Sequence, residues 1–342
     1  MPNNSTKILL LTTLVSGVLV SVSSNSWIGA WMGLEINLMS FIPLMSSIKN
    51  MYNTEASLKY FIVQVLASAS LLFLVVMKTL TEDLFSLEGT QYTSMIISTP
   101  LLLKSGAAPL HWWFPGVMEG LSWENCALLM TVQKVAPLML MSYLIEINIF
   151  VVSIIITSTI VGSIGGLNQT SMRKILTYSS INHTGWMLVA LTTSDNLWMT
   201  YFVIYSTLAL TVVSTIKLSG VSFINQTFMT NKEITLVKFM MFSSLLSLGG
   251  LPPFLGFLPK WIIIQSMITN NLAPLATIMV ITSLITLYYY MKISYSSFMI
   301  LSAEPKWNMK SDKNKTSNTS ALFLSSMSLT GMVVCTIITN IN

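Results

Sequence analysis

The sequence predicts an all-α polytopic membrane protein. It has about eleven transmembrane helices, two of them broken, in two inverted five-helix repeats plus one C-terminal helix. Three observations lead there. Charged residues make up 8% of the 342 residues and mean hydropathy is +0.71, against roughly 25% charged in a soluble domain. Apolar runs long enough to cross a bilayer, about 20 residues, recur along the whole chain. Two of these runs are interrupted by glycine and proline at one spacing: Gly106, Pro109 and Pro115 in the first, Gly250, Pro253 and Pro259 in the second.

In chain order the expected spans are 6–24, 26–46, 54–77, 92–119 (broken), 123–144, 147–166, 171–193, 196–219, 234–269 (broken), 272–301 and 319–340. The start, Met1 to Lys7, runs into apolar sequence without a small-residue cleavage site, so it reads as a retained first span and not a signal peptide. Residues 303–318 are lysine-rich and read as a surface loop. The single membrane domain, 1–342, divides into a first unit at 1–146, a second inverted unit at 147–302, and a loop and last helix at 303–342. This count puts Lys7, Lys49, Arg173, Lys174, Lys217, Lys232, Lys238, Lys306, Lys310, Lys313 and Lys315 on one side. Only Lys78, beside Glu82, Asp83 and Glu88, lies in a connection on the other. Basic loops stay on the inner side of a membrane, so the N-terminus faces inward and the C-terminus outward.

The breaks set the functional reading. Pro109 removes a helical N–H and should free the carbonyl of Ser105, next to Lys104. Free backbone groups at membrane depth are tolerated where protein or a wet cavity satisfies them. Paired Gly/Pro-interrupted segments in two halves of a chain mark the binding site of an inverted-repeat transporter. Each copy here also carries a lysine beside the break, Lys104 and Lys260.

Four charges lie deep in spans: Glu35, Lys104, Lys134 and Lys260. Counting residues from the span ends puts them roughly 12–18 Å deep. Each costs roughly 2.5–3.5 kcal/mol at a helix centre, on the order of 10 kcal/mol for four. An ion pair that only ties helices together would account for Glu35 and one lysine, and would leave two lysines unexplained. A proton relay accounts for all four. A desolvated lysine gives up its proton more readily, and a carboxylate neighbour reverses that. Pro137 follows Lys134 by three residues and should free the carbonyl of Gln133 to seat a water. His183, mid-span among hydroxyls, and His111, beside Trp112 and Trp113, are weaker relay candidates. An interhelical hydrogen bond is the plainer role for His183, an interfacial one for His111. Lys59 and Lys292 lie near span ends and snorkel. The Met, Trp and Phe residues read as lipid-facing or packing surface.

Two cysteines, Cys126 and Cys335, make no disulfide framework or thiolate metal site. The sequence has no GxGxxG, no GxxxxGK[ST], no HExxH and no paired histidines at helical spacing. We expect no redox centre, metal or nucleotide site of the chain's own. Nor does the basic balance point to nucleic acid, because its charges are loop charges on one side. One arginine against 24 methionines resembles an A/T-rich organellar coding sequence.

The stretches 27–37, 54–61, 103–111, 133–137, 165–174, 178–183 and 247–261 together resemble a known family. They include Trp27-Ile-Gly-Ala-Trp-Met-Gly-Leu-Glu35, Leu103-Lys104-Ser-Gly-Ala-Ala-Pro109-Leu-His111, Gln133-Lys134-Val-Ala-Pro137 and Ser247-Leu-Gly-Gly-Leu-Pro-Pro-Phe-Leu-Gly-Phe-Leu-Pro-Lys260-Trp261. The family is subunit 2 of mitochondrial NADH:ubiquinone oxidoreductase, respiratory complex I, of an arthropod type. The resemblance implies an antiporter-like, proton-pumping subunit driven by quinone chemistry elsewhere in the complex, in the mitochondrial inner membrane. It implies that NADH and ubiquinone serve the whole complex, and that the partners are lipid and neighbouring membrane subunits, other antiporter-like ones included. By position, Glu35 matches the family's glutamate, Lys104 its partner lysine, Lys134 the connecting lysine and Lys260 the lysine of the second broken helix. Bacterial relatives have three more spans. Leu110 and Val132 stand where phenylalanine and tryptophan are common, and neither change touches an ionisable position. A stand-alone cation/proton antiporter of the same fold and a passive membrane scaffold are the competing readings. The organellar composition disfavours the antiporter, and the buried charges disfavour the scaffold.

Overall fold

The computed structural model describes residues 4–46, 50–84, 90–229 and 235–295, together with 325, 326, 328 and 331. The helices are α1 Asn4–Ser23, α2 Trp27–Met45, α3 Met51–Leu84, α4 Thr90–Ser105, α5 Trp113–Gly120, α6 Trp123–Met130, α7 Val132–Ser142, α8 Ile149–Gly166, α9 Met172–Thr193, α10 Asp195–Ser219, α11 Gln226–Met229, α12 Thr235–Gly249, α13 Phe257–Thr269 and α14 Ala273–Tyr295. Among the described residues there is no strand, only one isolated bridge, Ser171 to Phe223, that ties two turns together. Among the described residues, six helices are long and apolar enough to cross a membrane: Ser5–Ser23, Trp27–Met45, Met51–Leu80, Ile149–Gly166, Asp195–Ser219 and Ala273–Tyr295. The expected last span, 319–340, and the loop at 303–318 fall almost wholly outside the described residues. So do Lys49, Lys232, Lys306, Lys310, Lys313, Lys315 and Glu88, on which the charge asymmetry partly rests.

The chain forms two compact units, Met1–Ser158 and Thr159–Asn342. In the first, α1 and α2 touch backbone to backbone. A Cβ on Gly17 would lie 2.8 Å from the Asn37 nitrogen, and one on Gly33 would strike the Ser21 backbone. Small residues at such crossings supply the packing that lipid-exposed helices cannot obtain from the hydrophobic effect. A run of edge-to-face and tilted rings, Phe41, Tyr60, Trp113 and Phe114, then joins α2, α3 and α5, with centroids 5.4, 5.8 and 5.3 Å apart. Asn125 on α6 donates to the Leu44 carbonyl at 3.0 Å, and so anchors the end of α2.

In the second unit α9 is the axis. It is buried almost continuously from Ile175 to Leu191. That explains its polar composition: a helix wrapped by protein can carry Ser179, Ser180, Asn182, His183 and Thr184 where a lipid-facing one could not. Its hydroxyls bond their own helix, Ser179 to the Leu176 carbonyl at 2.8 Å and Ser180 to that of Thr177 at 2.7 Å. Gly165 packs on the Tyr178 ring and Gly166 on the Tyr289 ring, bringing α8 against α9 and α14.

Among the described residues, three of the expected spans are interrupted and not two. The fourth is α4 and α5, the ninth is α12 and α13, and the fifth is split at Thr131 into α6 and α7. The third interruption lies at Thr131 (φ −110°, ψ −78°), and the helix restarts at Val132, so that Pro137 sits inside the second piece.

Candidate functional site

Each unit holds one of the twin breaks, and the two match at their glycine and proline positions. The first half-helix ends at Ser105 or Gly249, and the next residue is a glycine in the left-handed region, Gly106 at φ +73° and Gly250 at φ +82°. Glycine, without a Cβ, reaches that conformation freely. Pro115 and Pro259 each occupy the third position of the second half-helix, where the missing N–H costs no helical bond. Each break also has a side chain from its second half-helix reaching back to a carbonyl of the first. Trp113 Nε1 donates to the Leu103 carbonyl at 3.1 Å, and Lys260 Nζ donates to the Gly249 carbonyl at 2.9 Å.

The carbonyl expected to be freed at the first break was that of Ser105. The helix already ends there because Gly106 turns away, and the break carbonyls that receive side chains are those of Leu103 and Ala108. The second of these accepts from Thr157 at 3.2 Å. His111 lies in this turn, half-buried, beside the Pro109 carbonyl.

All three lysines named from the sequence are buried: Lys104 is 8% exposed, Lys134 2% and Lys260 4%. They reach their breaks differently. Lys104 is in the last turn of α4, so its charge sits at the negative end of that half-helix. Lys260 is in the first turn of α13 and folds back over Gly250, where a Cβ would lie 3.1 Å from Nζ. Its ammonium also faces the Trp186 ring of α9, 5.9 Å from the centroid. Lys134 follows the third interruption, and its Nζ lies 5.2 Å from the Phe114 ring centroid. Desolvated ammonium groups gain from an aromatic face.

Glu35, on α2, is partly buried, with one carboxylate oxygen enclosed and without a hydrogen-bond partner. Among the described residues it makes no direct ion pair; its charge acts on Lys104 through space. A small cavity of about 10 Å³ adjoins Lys104, walled by Leu34, Asn37, Tyr60, Gln64, Gln133 and Pro137. Within its wall Tyr60 donates to Gln133 Oε1 at 3.3 Å, and Gln133 Nε2 donates to Asn37 Oδ1 at 2.9 Å. His183 is buried in the second unit, its Nδ1 2.7 Å from the Tyr201 hydroxyl and its ring 4.9 Å from that of Tyr205. By contrast Lys59 is exposed and pairs with Glu55 at 2.6 Å, as a residue at a span end should.

The sequence reading missed the amides Asn37, Gln64 and Gln133 and the tyrosines Tyr60, Tyr201 and Tyr205. Gln64 carried a usable signal, as the one amide in the long apolar run from Tyr60 to Val76. Tyr201 and Tyr205, spaced by four on α10, read as ordinary packing. Trp113 and Trp186, grouped with the packing surface, instead touch the break chemistry. Among the described residues no group of three His, Cys, Asp or Glu could hold a metal ion.

Residues 24–286 match the family described as NADH:quinone oxidoreductase/Mrp antiporter, transmembrane. The chain is 49% identical over 332 residues to NADH-ubiquinone oxidoreductase chain 2 of Anopheles gambiae, covering 96% of this chain and 97% of that protein. It is 46% identical over 336 residues to the Locusta migratoria protein of the same name, covering 98% and 97%. Its fold aligns with a chain of respiratory complex I from Thermus thermophilus at TM-score 0.81 and 21% identity, over 98% of this chain and 80% of that one. A chain of the Mrp complex from Dietzia sp. aligns at TM-score 0.75 and 16% identity, over 96% and 75%. The chain belongs to the NADH-ubiquinone oxidoreductase chain 2 family, within the NADH:quinone oxidoreductase/Mrp antiporter group of membrane proteins.

Proposed function

We propose that the chain is a proton-translocating membrane subunit of NADH:ubiquinone oxidoreductase in the mitochondrial inner membrane. Glu35, Lys104, Lys134 and Lys260 carry the proton, with His183 and His111 as lesser stations. The observation that supports this most is the burial of three lysines, each at an interruption of a helix. A neutral lysine there accepts a proton from one side; once charged, it is repelled by the next charge and passes the proton on. NADH and ubiquinone react elsewhere in the complex, and this chain supplies no redox group. Its partners are the neighbouring membrane subunits, antiporter-like ones among them, and lipid.

The same reading takes the chain as eleven spans, two inverted units of five and a last helix. The matching glycines and prolines of the two breaks support the repeat. The N-terminus then faces the matrix and the C-terminus the intermembrane space, on the one-sided distribution of lysine. Protease should cut the 303–318 loop in inside-out inner-membrane vesicles and spare it in intact mitoplasts. Cutting in mitoplasts alone would reverse the orientation.

The likeness to an Mrp chain keeps a stand-alone cation/proton antiporter as the second reading. A native gel separates the two. A complex I subunit co-migrates with NADH dehydrogenase activity, and migration apart from that activity would sink the first reading.

A further inference from the structure

A small cavity adjoins Lys104 between α2, α3, α4 and α7. At about 10 Å³ it is of the size that admits a single water. Gln64 is 4% exposed, lines this cavity, and its Nε2 has no hydrogen-bond partner among the described residues. A buried amide N–H without a partner is rare in a native protein and calls for an explanation. The surrounding wall supplies one. Tyr60 and Gln133 already bond each other, and Gln133 bonds Asn37. Gln133 Oε1 keeps a second lone pair, and the Tyr60 oxygen keeps its own. The residues lining the cavity thus include two that can donate, through the Gln64 amide and the Lys104 ammonium, and two with acceptor capacity to spare, Gln133 Oε1 and Tyr60 Oη. One water, with two lone pairs and two protons, complements that set.

We propose that Gln64 is a positioning residue: with Lys104 it fixes one water in this cavity, and that water joins the lysine to the amide–tyrosine chain of α2, α3 and α7. The water site stands on the geometry alone, while its consequence for pumping rests on the relay reading above. Without the Gln64 donor the water loses one of four anchors, and the ammonium of Lys104 loses an oriented hydrogen-bond partner. Leucine at 64 would close the cavity with an apolar group of similar size; asparagine would keep an amide on a shorter stem.

The test is a map of the assembled complex at a resolution that shows water, together with protons pumped per NADH. The wild-type map should show a peak within hydrogen-bonding distance of both Lys104 Nζ and Gln64 Nε2. Gln64→Leu should remove the peak and slow pumping through this subunit roughly three- to tenfold, the factor that one hydrogen bond carries. Gln64→Asn should recover part of that loss. A wild-type cavity without the peak overturns the site, and that map decides even where Gln64→Leu fails to assemble. A lost peak with wild-type pumping overturns the positioning role. Lys104→Met is the separate control for the relay: normal pumping in that variant would sink the relay and leave the water peak to be judged by itself.

Discussion

A complex carrying Lys260→Met assembles at the wild-type level, oxidises NADH, and loses the protons that pass through this subunit. Methionine matches the length and apolar stem of lysine and removes its charge. The lost contacts are few: one hydrogen bond to the Gly249 carbonyl at 2.9 Å and the Trp186 ring at 5.9 Å. That carbonyl lies in the last turn of α12, where no intrahelical partner exists, so it reverts to the usual state of a helix end. Removing an isolated buried charge also lifts a cost of roughly 2.5–3.5 kcal/mol. A structural role thus predicts a stable complex that still pumps. A relay role predicts a stable complex whose transfer through this station falls by about a hundredfold or more, the usual scale for a lost acid–base group. Lys260→Arg sharpens the comparison. It keeps the positive charge and the hydrogen bond but holds its proton at every working pH. Charge alone would make arginine a good replacement; proton exchange makes it as poor as methionine. Pumping at the wild-type ratio in Lys260→Met would remove Lys260 from the pathway.

The residues that the sequence disclosed are those whose signal is local. A glycine and two prolines inside an apolar run announce a break by themselves, and both Gly106 and Gly250 take the left-handed conformation at the foreseen positions. A lysine in such a run announces itself by its cost, and Lys104, Lys134 and Lys260 are all buried. The third interruption was half legible. Pro137 marked the neighbourhood, but the chain departs from the helix at Thr131 and carries Pro137 inside α7. What stayed hidden was assembled by packing. Asn37, Gln64 and Gln133 come from three helices, and nothing in each helix alone says that their amides meet beside Lys104. Tyr201 looks like any aromatic packing residue until the fold sets its hydroxyl 2.7 Å from His183. The matched backbones carry their lysines on opposite half-helices, Lys104 on the first and Lys260 on the second, as the order of residues around each break already shows.

Combining Glu35→Gln with Lys104→Met should cost less pumping than the two single losses predict together. Glu35 acts on Lys104 through its charge, without a direct ion pair. Lys104 is 8% exposed and Glu35 has an enclosed carboxylate oxygen, so bulk solvent screens the two charges only weakly. Removing the carboxylate leaves the ammonium without its counter-charge, and removing the lysine strands the carboxylate. Breaking one side of a buried pair is worse than removing both, since the survivor keeps its desolvation cost and loses its compensation. For two groups that share one field the expected coupling is about 0.5–3 kcal/mol. At the upper end that is roughly a hundredfold, well outside the scatter of a pumping assay. The measurement is a double-mutant cycle on protons per NADH in the reconstituted complex, with the amount of assembled complex recorded for each variant. A positive coupling in pumping that is absent from assembly assigns the pair to proton transfer. The same coupling in assembly and pumping alike would mean that Glu35 and Lys104 only hold α2 and α4 together. Additive losses would show that the two charges act independently, and Glu35 would then leave the relay.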